Sequence, residues 1–152
     1  MKTRTIWVAV AWAALGINAL AAEGEAAGTI KISKGEVSIE RAGARIPGGV
    51  GTAIYVADKV RTGADGAVGL TLRDNTLLSA GPNSLLTLDR FSFDSTTNAG
   101  ALSVGVRKGT LAVATGKIAR QTPESIDFRT ATLVIGVRGT EFVIEAGSGN
   151  ED

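Results

Sequence analysis

Side chains able to carry reaction chemistry are scarce in this 152-residue chain, which contains no histidine and no cysteine. Thiol catalysis, disulfides and a lipid-bearing N-terminal cysteine are thereby excluded, and a zinc or copper site would rest on carboxylates alone. Asp58, Asp65, Asp74 and Asp89 are the obvious oxygen ligands for calcium. Each stands beside a turn, where an aspartate bonds nearby backbone amides, and none opens a dense Asp-x-Asp loop with a downstream glutamate. A turn role is the expectation for all four, with no metal. Ser79 and Ser84 lack a histidine to activate them, neither lies in a nucleophile elbow, and nothing marks Lys108 or Lys117 as a dyad partner. Gly105 and Gly109 flank Arg107-Lys108 without the helix that a phosphate loop requires. Paired acids for hydrolysis need a separation of about 5–10 Å that only folding can create. The chain is expected to be a non-enzyme, with no cofactor.

What remains is binding chemistry. Arg107, Lys108, Lys117, Arg120 and Arg129 make residues 107–129 locally basic, with Glu124 and Asp127 as the acids among them. The stretch suits an anionic glycan or an acidic partner, and equally a solvated face with ordinary charge spacing. Over the whole chain 16 basic residues balance 15 acidic ones. Residues 1–22 hold Lys2 and Arg4 and no acid, so their removal leaves 14 against 15, a charge near −1. Neither that balance nor any basic run provides an electrostatic footprint for nucleic acid.

The elements that must position these residues are strands. Residues 1–22 read as a secretory signal peptide: two cations, an apolar stretch from Ile6, and Ala19-Leu20-Ala21 as a cleavage site, with cutting after Ala21 or Ala22. No second apolar run follows, so an exported chain without a membrane span is expected, in the periplasm or beyond it. A flexible lead-in at 23–28, one β domain at 29–147 and a short tail at 148–152 complete the organisation.

Period-two alternation recurs at Ile30/Ile32, Val37/Ile39, Val68/Leu70/Leu72, Leu102/Val104/Val106, Leu111/Val113 and Ile126/Phe128. Ala42 to Gly51 reads as a loop, Lys108-Gly109 as a turn between two strands, and Gly116 to Ser125 as a loop with at most one helical turn. Eight or more short strands with glycine-rich corners define an all-β domain: a sandwich, a barrel or a coiling solenoid.

The stretch from Thr130 to Gly147 is the most distinctive. Ala131, Leu133, Ile135 and Val137 share a face, Gly139 interrupts the run, and Phe142 and Ile144 resume it with Glu141 and Glu145 turned the other way. Gly136-Val137-Arg138-Gly139-Thr140, followed by Phe142 and Val143, resembles the closing motif of the FecR domain, the periplasmic sensor domain of the ferric-citrate regulator type. Thr62-Gly63-Ala64-Asp65-Gly66, Asp74-Asn75-Thr76 and Gly81-Pro82-Asn83-Ser84 resemble its upstream blocks.

The resemblance implies an irregular, twisted β-solenoid, with a β-sandwich as the alternative. Arg138 either presents its planar fork to a ligand or pins the glycine corner by bonding carbonyls of an adjacent coil. The pinning role is expected, because Gly136 and Gly139 on either side suggest close backbone packing. Relatives of the regulator type carry this domain after a membrane span and a segment acting on a sigma factor, and receive a signal from an outer-membrane transporter. A stand-alone exported member implies a binding or sensing module that engages an unidentified envelope protein through an exposed strand edge. The alternative is a structural or adhesive component that self-associates or binds glycan.

Overall fold

The computed structural model describes residues 24–137 and 140–147. Residues 1–23, Arg138, Gly139 and residues 148–152 lie outside the described residues, and with them the expected signal peptide and cleavage site, the pinning role of Arg138 and the expected tail. Within the described residues the chain is all-β, as its alternation predicts.

The longest strand, β9 (Gly100–Ala114), organises the others. Its buried apolar side chains fall at Leu102, Val104 and Val106 and then at Leu111 and Val113, so the alternation slips by one position in between. Two local features produce the slip. β8 (Leu85–Phe93) pairs Leu86 with Val106 but Leu85 with Lys108, which leaves Arg107 as the extra residue of a bulge. Gly109 then takes φ +88, a conformation open to glycine at little cost. Lys108-Gly109 is therefore a bend inside one strand and not the expected turn, since local turn chemistry and a strand bulge use the same residues.

On either side of this bend β9 belongs to a different wall. Its first half pairs antiparallel with β8 and parallel with β10 (Ile126–Arg129). Its second half pairs antiparallel with β7 (Leu77–Ala80) and β12 (Glu141–Ala146). The first wall continues from β8 through β5 (Lys59–Thr62) and β2 (Val37–Arg41) to β3 (Ala44–Pro47). The second continues from β7 through β6 (Ala67–Leu72) and β1 (Gly28–Lys34) to β4 (Ala53–Ile54). A three-residue strand, β11 (Val134–Gly136), closes a hairpin on β10.

The result is one sheet curled on itself, with Ile30, Leu70, Leu111 and Ile144 of one wall meeting Ile39, Leu102, Val104 and Phe128 of the other. A void of about 10 Å³ between Leu70, Leu78, Leu86 and Val104 is apolar and no larger than one water, so this part of the core offers no ligand site. The β9–β10 ladder is parallel and the other ladders among the described residues are antiparallel, so the finer solenoid expectation gains no support from the pairing.

Two further segments depart from expectation. Ala42 and Gly43, at φ 50 and 78, form a two-residue turn between β2 and β3, so the glycine-rich loop begins with a hairpin. Positive φ at both turn residues matches the twist of the flanking strands, and that match outweighs the discomfort of an alanine there. Thr130 to Leu133 is a turn, not strand: the Thr130 amide donates to the Leu133 carbonyl, and its Oγ1 accepts from the Leu133 amide at 3.1 Å. Leu133 and Val134 consequently face solvent. The segment after β9 contains a five-residue helix, α1 (Lys117–Gln121), and a 3₁₀ turn at Pro123–Ser125, close to the single helical turn expected.

One buried ion pair braces the first wall. Arg41 donates to both carboxylate oxygens of Asp58 (2.9 and 2.7 Å) and to the Ala53 carbonyl, with its guanidinium over the Tyr55 ring. Asp58 also accepts from the Tyr55 amide. The hydrogen bond to Asp58 raises the Arg41 pKa above its ordinary value against the opposing effect of desolvation. Arg41→Lys keeps the charge but not the fork, and it is expected to cost about 1–2 kcal/mol in denaturant unfolding.

Candidate functional site

The two upstream motifs, nearly twenty residues apart, fold into one corner. The Thr62 amide donates to the Ser84 carbonyl, and the Ser84 amide returns a bond to Thr62 Oγ1 at 2.9 Å. Thr62 Oγ1 donates in turn to the Gly81 carbonyl at 2.7 Å, while Asn83 and Gly66 both donate to the Gly63 carbonyl. Ser84 is fully buried, and its Oγ accepts from the Thr110 amide beside the Gly109 bend. Asp65 accepts from the Glu36 amide across the β1–β2 corner. The corner satisfies its own polar groups and presents no nucleophile, so its work is to fix where β5, β8 and the bend of β9 meet.

Asp74 forms a second internal lock. It is fully buried, with its carboxylate accepting from the Thr76 amide, the Thr76 hydroxyl and the Ile118 amide. Its carbonyl accepts from the Lys117 amide, so the β6–β7 turn supplies the partners that the first turn of α1 lacks. Asp89 does not take the expected turn role: it lies within strand β8, exposed and beside Gly105, because the ladder with β9 continues past this position. Among the described residues no group of three or more acids is placed to hold a metal ion.

The described part of the closing motif is equally internal. Val137 is buried, the Thr140 carbonyl accepts from the Thr115 amide, and Phe142 meets Phe128 edge to face at 5.1 Å. Gly136 is exposed, with open space where a Cβ would stand, so the close packing expected on that side of Arg138 is not what this glycine provides.

The basic residues occupy separate elements. Arg107 and Lys108 sit at the bend of β9, whereas Lys117 and Arg120 lie on α1, whose Ile118 packs against Gly100 at the start of that strand. Seven residues of strand, roughly 23 Å, separate Gly100 from Arg107. Arg129 pairs with Asp127 at 2.6 Å, and that bond raises its pKa.

The open surface lies instead along β12. Because the Thr140 carbonyl bonds Thr115 of β9, alternation of the antiparallel ladder turns Phe142 and Ile144 inward to β9. The backbone N–H and C=O groups of Glu141, Val143 and Glu145 then point to the free edge. Among the described residues no strand pairs with that edge. The other free edges are shorter: β3 has four residues and ends in Pro47, β4 has two and β11 three.

Val143 is 66% exposed between two exposed glutamates. A strand added to β12 would meet an acid, an aliphatic side chain and an acid on one face. Sequence reasoning placed the two glutamates outside and named Val143 only as part of the closing motif, although the alternation Glu141-Phe142-Val143-Ile144-Glu145 puts it on the outward face.

A family model described as FecR protein matches residues 58–151. That span begins at Asp58 of the buried ion pair and takes in both motif corners, the whole of β9 and β12. No curated protein and no solved structure matches the chain.

Proposed function

The chain belongs to the FecR family, and on that footing we propose that it is a non-enzymatic sensing and binding module of the bacterial cell envelope, working in the periplasm after removal of its leader. The family supports a sensing or regulatory envelope role, and among the described residues no helix is long and apolar enough to cross a membrane. The observation that carries the binding reading is the free edge of β12, six residues long and aliphatic at its centre.

Its two glutamates define the partner. Antiparallel pairing of β12 with its own copy about Val143 would set Glu141 against Glu145, and like charges directly opposite are destabilising. The edge therefore rejects itself and favours an extended segment of another envelope protein with Lys or Arg two residues on either side of an aliphatic residue.

Val143→Pro tests this. Proline on the open side of an edge strand removes no ladder bond, so the unfolding free energy should fall by about 1 kcal/mol or less. It also removes the outward N–H that an added strand needs. Crosslinking of the tagged protein in its native envelope should recover a partner joined at β12, with recovery reduced about tenfold by Val143→Pro and by Glu141→Lys/Glu145→Lys. Full recovery with either variant, or recovery of only the protein itself or peptidoglycan fragments, would reject strand addition.

A further inference from the structure

The outer faces of the two walls differ in kind. Across the first wall a cross-strand row runs Arg129, Gly105, Thr87, Lys59, Glu40, Arg45, charged at four of six positions. Across the second wall the equivalent row runs Val143, Ala112, Ser79, Gly69, Ile32, with no charge. Val143, Ile32 and the neighbouring Leu77 are 66%, 53% and 48% exposed. Ile32 lies across Gly69, whose Cβ position is 3.2 Å from it, so the centre of the face is low and its two margins stand proud.

Charge appears only at the margins, and with opposite sign. On β12, Glu145 pairs with Thr110 one row from Val143; on β1, Lys34 pairs with Ala67 one row from Ile32. Thr110 and Ala67 lie in the same row, joined through Gly81. Glu145 and Lys34 are both exposed, and neither belongs to an ion pair among the described residues.

We infer that this face is the interface of a homodimer, with the two-fold axis running along β7. Such an axis places β12 of one protomer over β1 of the other and keeps each row in register, the aligned arrangement in which twisted sheets pack face to face. Glu145 then meets the partner's Lys34 and Val143 meets the partner's Ile32, each contact occurring twice. Leu77 and Ser79 meet their own copies on the axis. The occupant is a second copy because the same face carries both halves of the complementary pattern, acid and protruding valine on one margin, base and protruding isoleucine on the other. The outward N–H and C=O groups of β12 stay free, but Val143 and Glu145 face the second protomer, so the dimer and an added strand share these two side chains and Ser79→Arg separates the two interactions.

Sedimentation equilibrium of the purified chain should show a dimer. Ser79→Arg brings two arginines together on the axis and should raise the dissociation constant at least about a hundredfold, with unfolding at low concentration unchanged because Ser79 is exposed in the monomer. It leaves the β12 edge untouched and should leave partner capture intact. Glu145→Lys should weaken the dimer about tenfold, and Lys34→Glu added to it should restore the affinity. A wild-type monomer at about 0.5 mM, a dimer that survives Ser79→Arg, or a double charge reversal no tighter than Glu145→Lys would overturn the inference.

Discussion

Gly109→Ala is expected to destabilise the protein by about 4 kcal/mol. A Cβ at this position would lie 2.1 Å from Ser84 Oγ and 2.5 Å from Ser84 Cα. The serine cannot retreat, because it is fully buried and its backbone exchanges hydrogen bonds with Thr62 in both directions. A positive φ adds about 1–2 kcal/mol for an L residue, and overpacking against fixed backbone another 1–3. Gly136→Ala is the internal control: its Cβ would touch nothing within 4 Å, so its cost should stay within about 0.5 kcal/mol. Urea unfolding of the two variants side by side decides the matter, and a loss below about 1 kcal/mol for Gly109→Ala would show that β9 is not locked at the Ser84 corner.

Asp74→Ala is expected to cost about 3–4 kcal/mol. Truncation leaves the Thr76 amide, the Thr76 hydroxyl and the Ile118 amide without their acceptor in a fully buried place. Each orphaned donor costs about 1–3 kcal/mol, and the three share one site, so the sum is less than additive. Asp74→Asn retains one acceptor oxygen and should lose about half as much. The loss should be local as well as global: α1 is released at its first turn, so trypsin should cut at Lys117 or Arg120 in Asp74→Ala under conditions where the wild-type helix resists. Equal resistance of the two proteins would show that Ile118 and the bond from the Lys117 amide to the backbone carbonyl of residue 74 hold α1 without the carboxylate.

Alternation made the strands legible. Val68/Leu70/Leu72, Leu102/Val104/Val106 and Ile126/Phe128 are buried as their period requires, because an inward face at period two is a local property. The bend in β9 was not legible, since Lys108-Gly109 has the composition of a turn and only pairing with β7 and β8 on both sides keeps it a strand. The corner joining Thr62, Ser84 and Thr110 spans 48 residues of chain and depends on topology that no local pattern encodes. Asp74 bonds the Thr76 amide of its own turn, whereas its reach to α1 and the bond from the distant Glu36 amide to Asp65 follow from the fold alone. The free edge of β12 was half legible: its glutamates announced an outward face, whereas the absence of a neighbouring strand in the described residues emerges only from the sheet order.

The position of β9 decides when in its synthesis the chain can fold. Both walls are completed by the same strand, which begins only at residue 100, so a nascent chain ending before it holds hairpins with exposed apolar faces and no closed core. Pairing across such long sequence separations is slow, and little is gained until the late segment arrives. A polypeptide built in this order stays pliable through most of its synthesis and collapses cooperatively once its central strand is present.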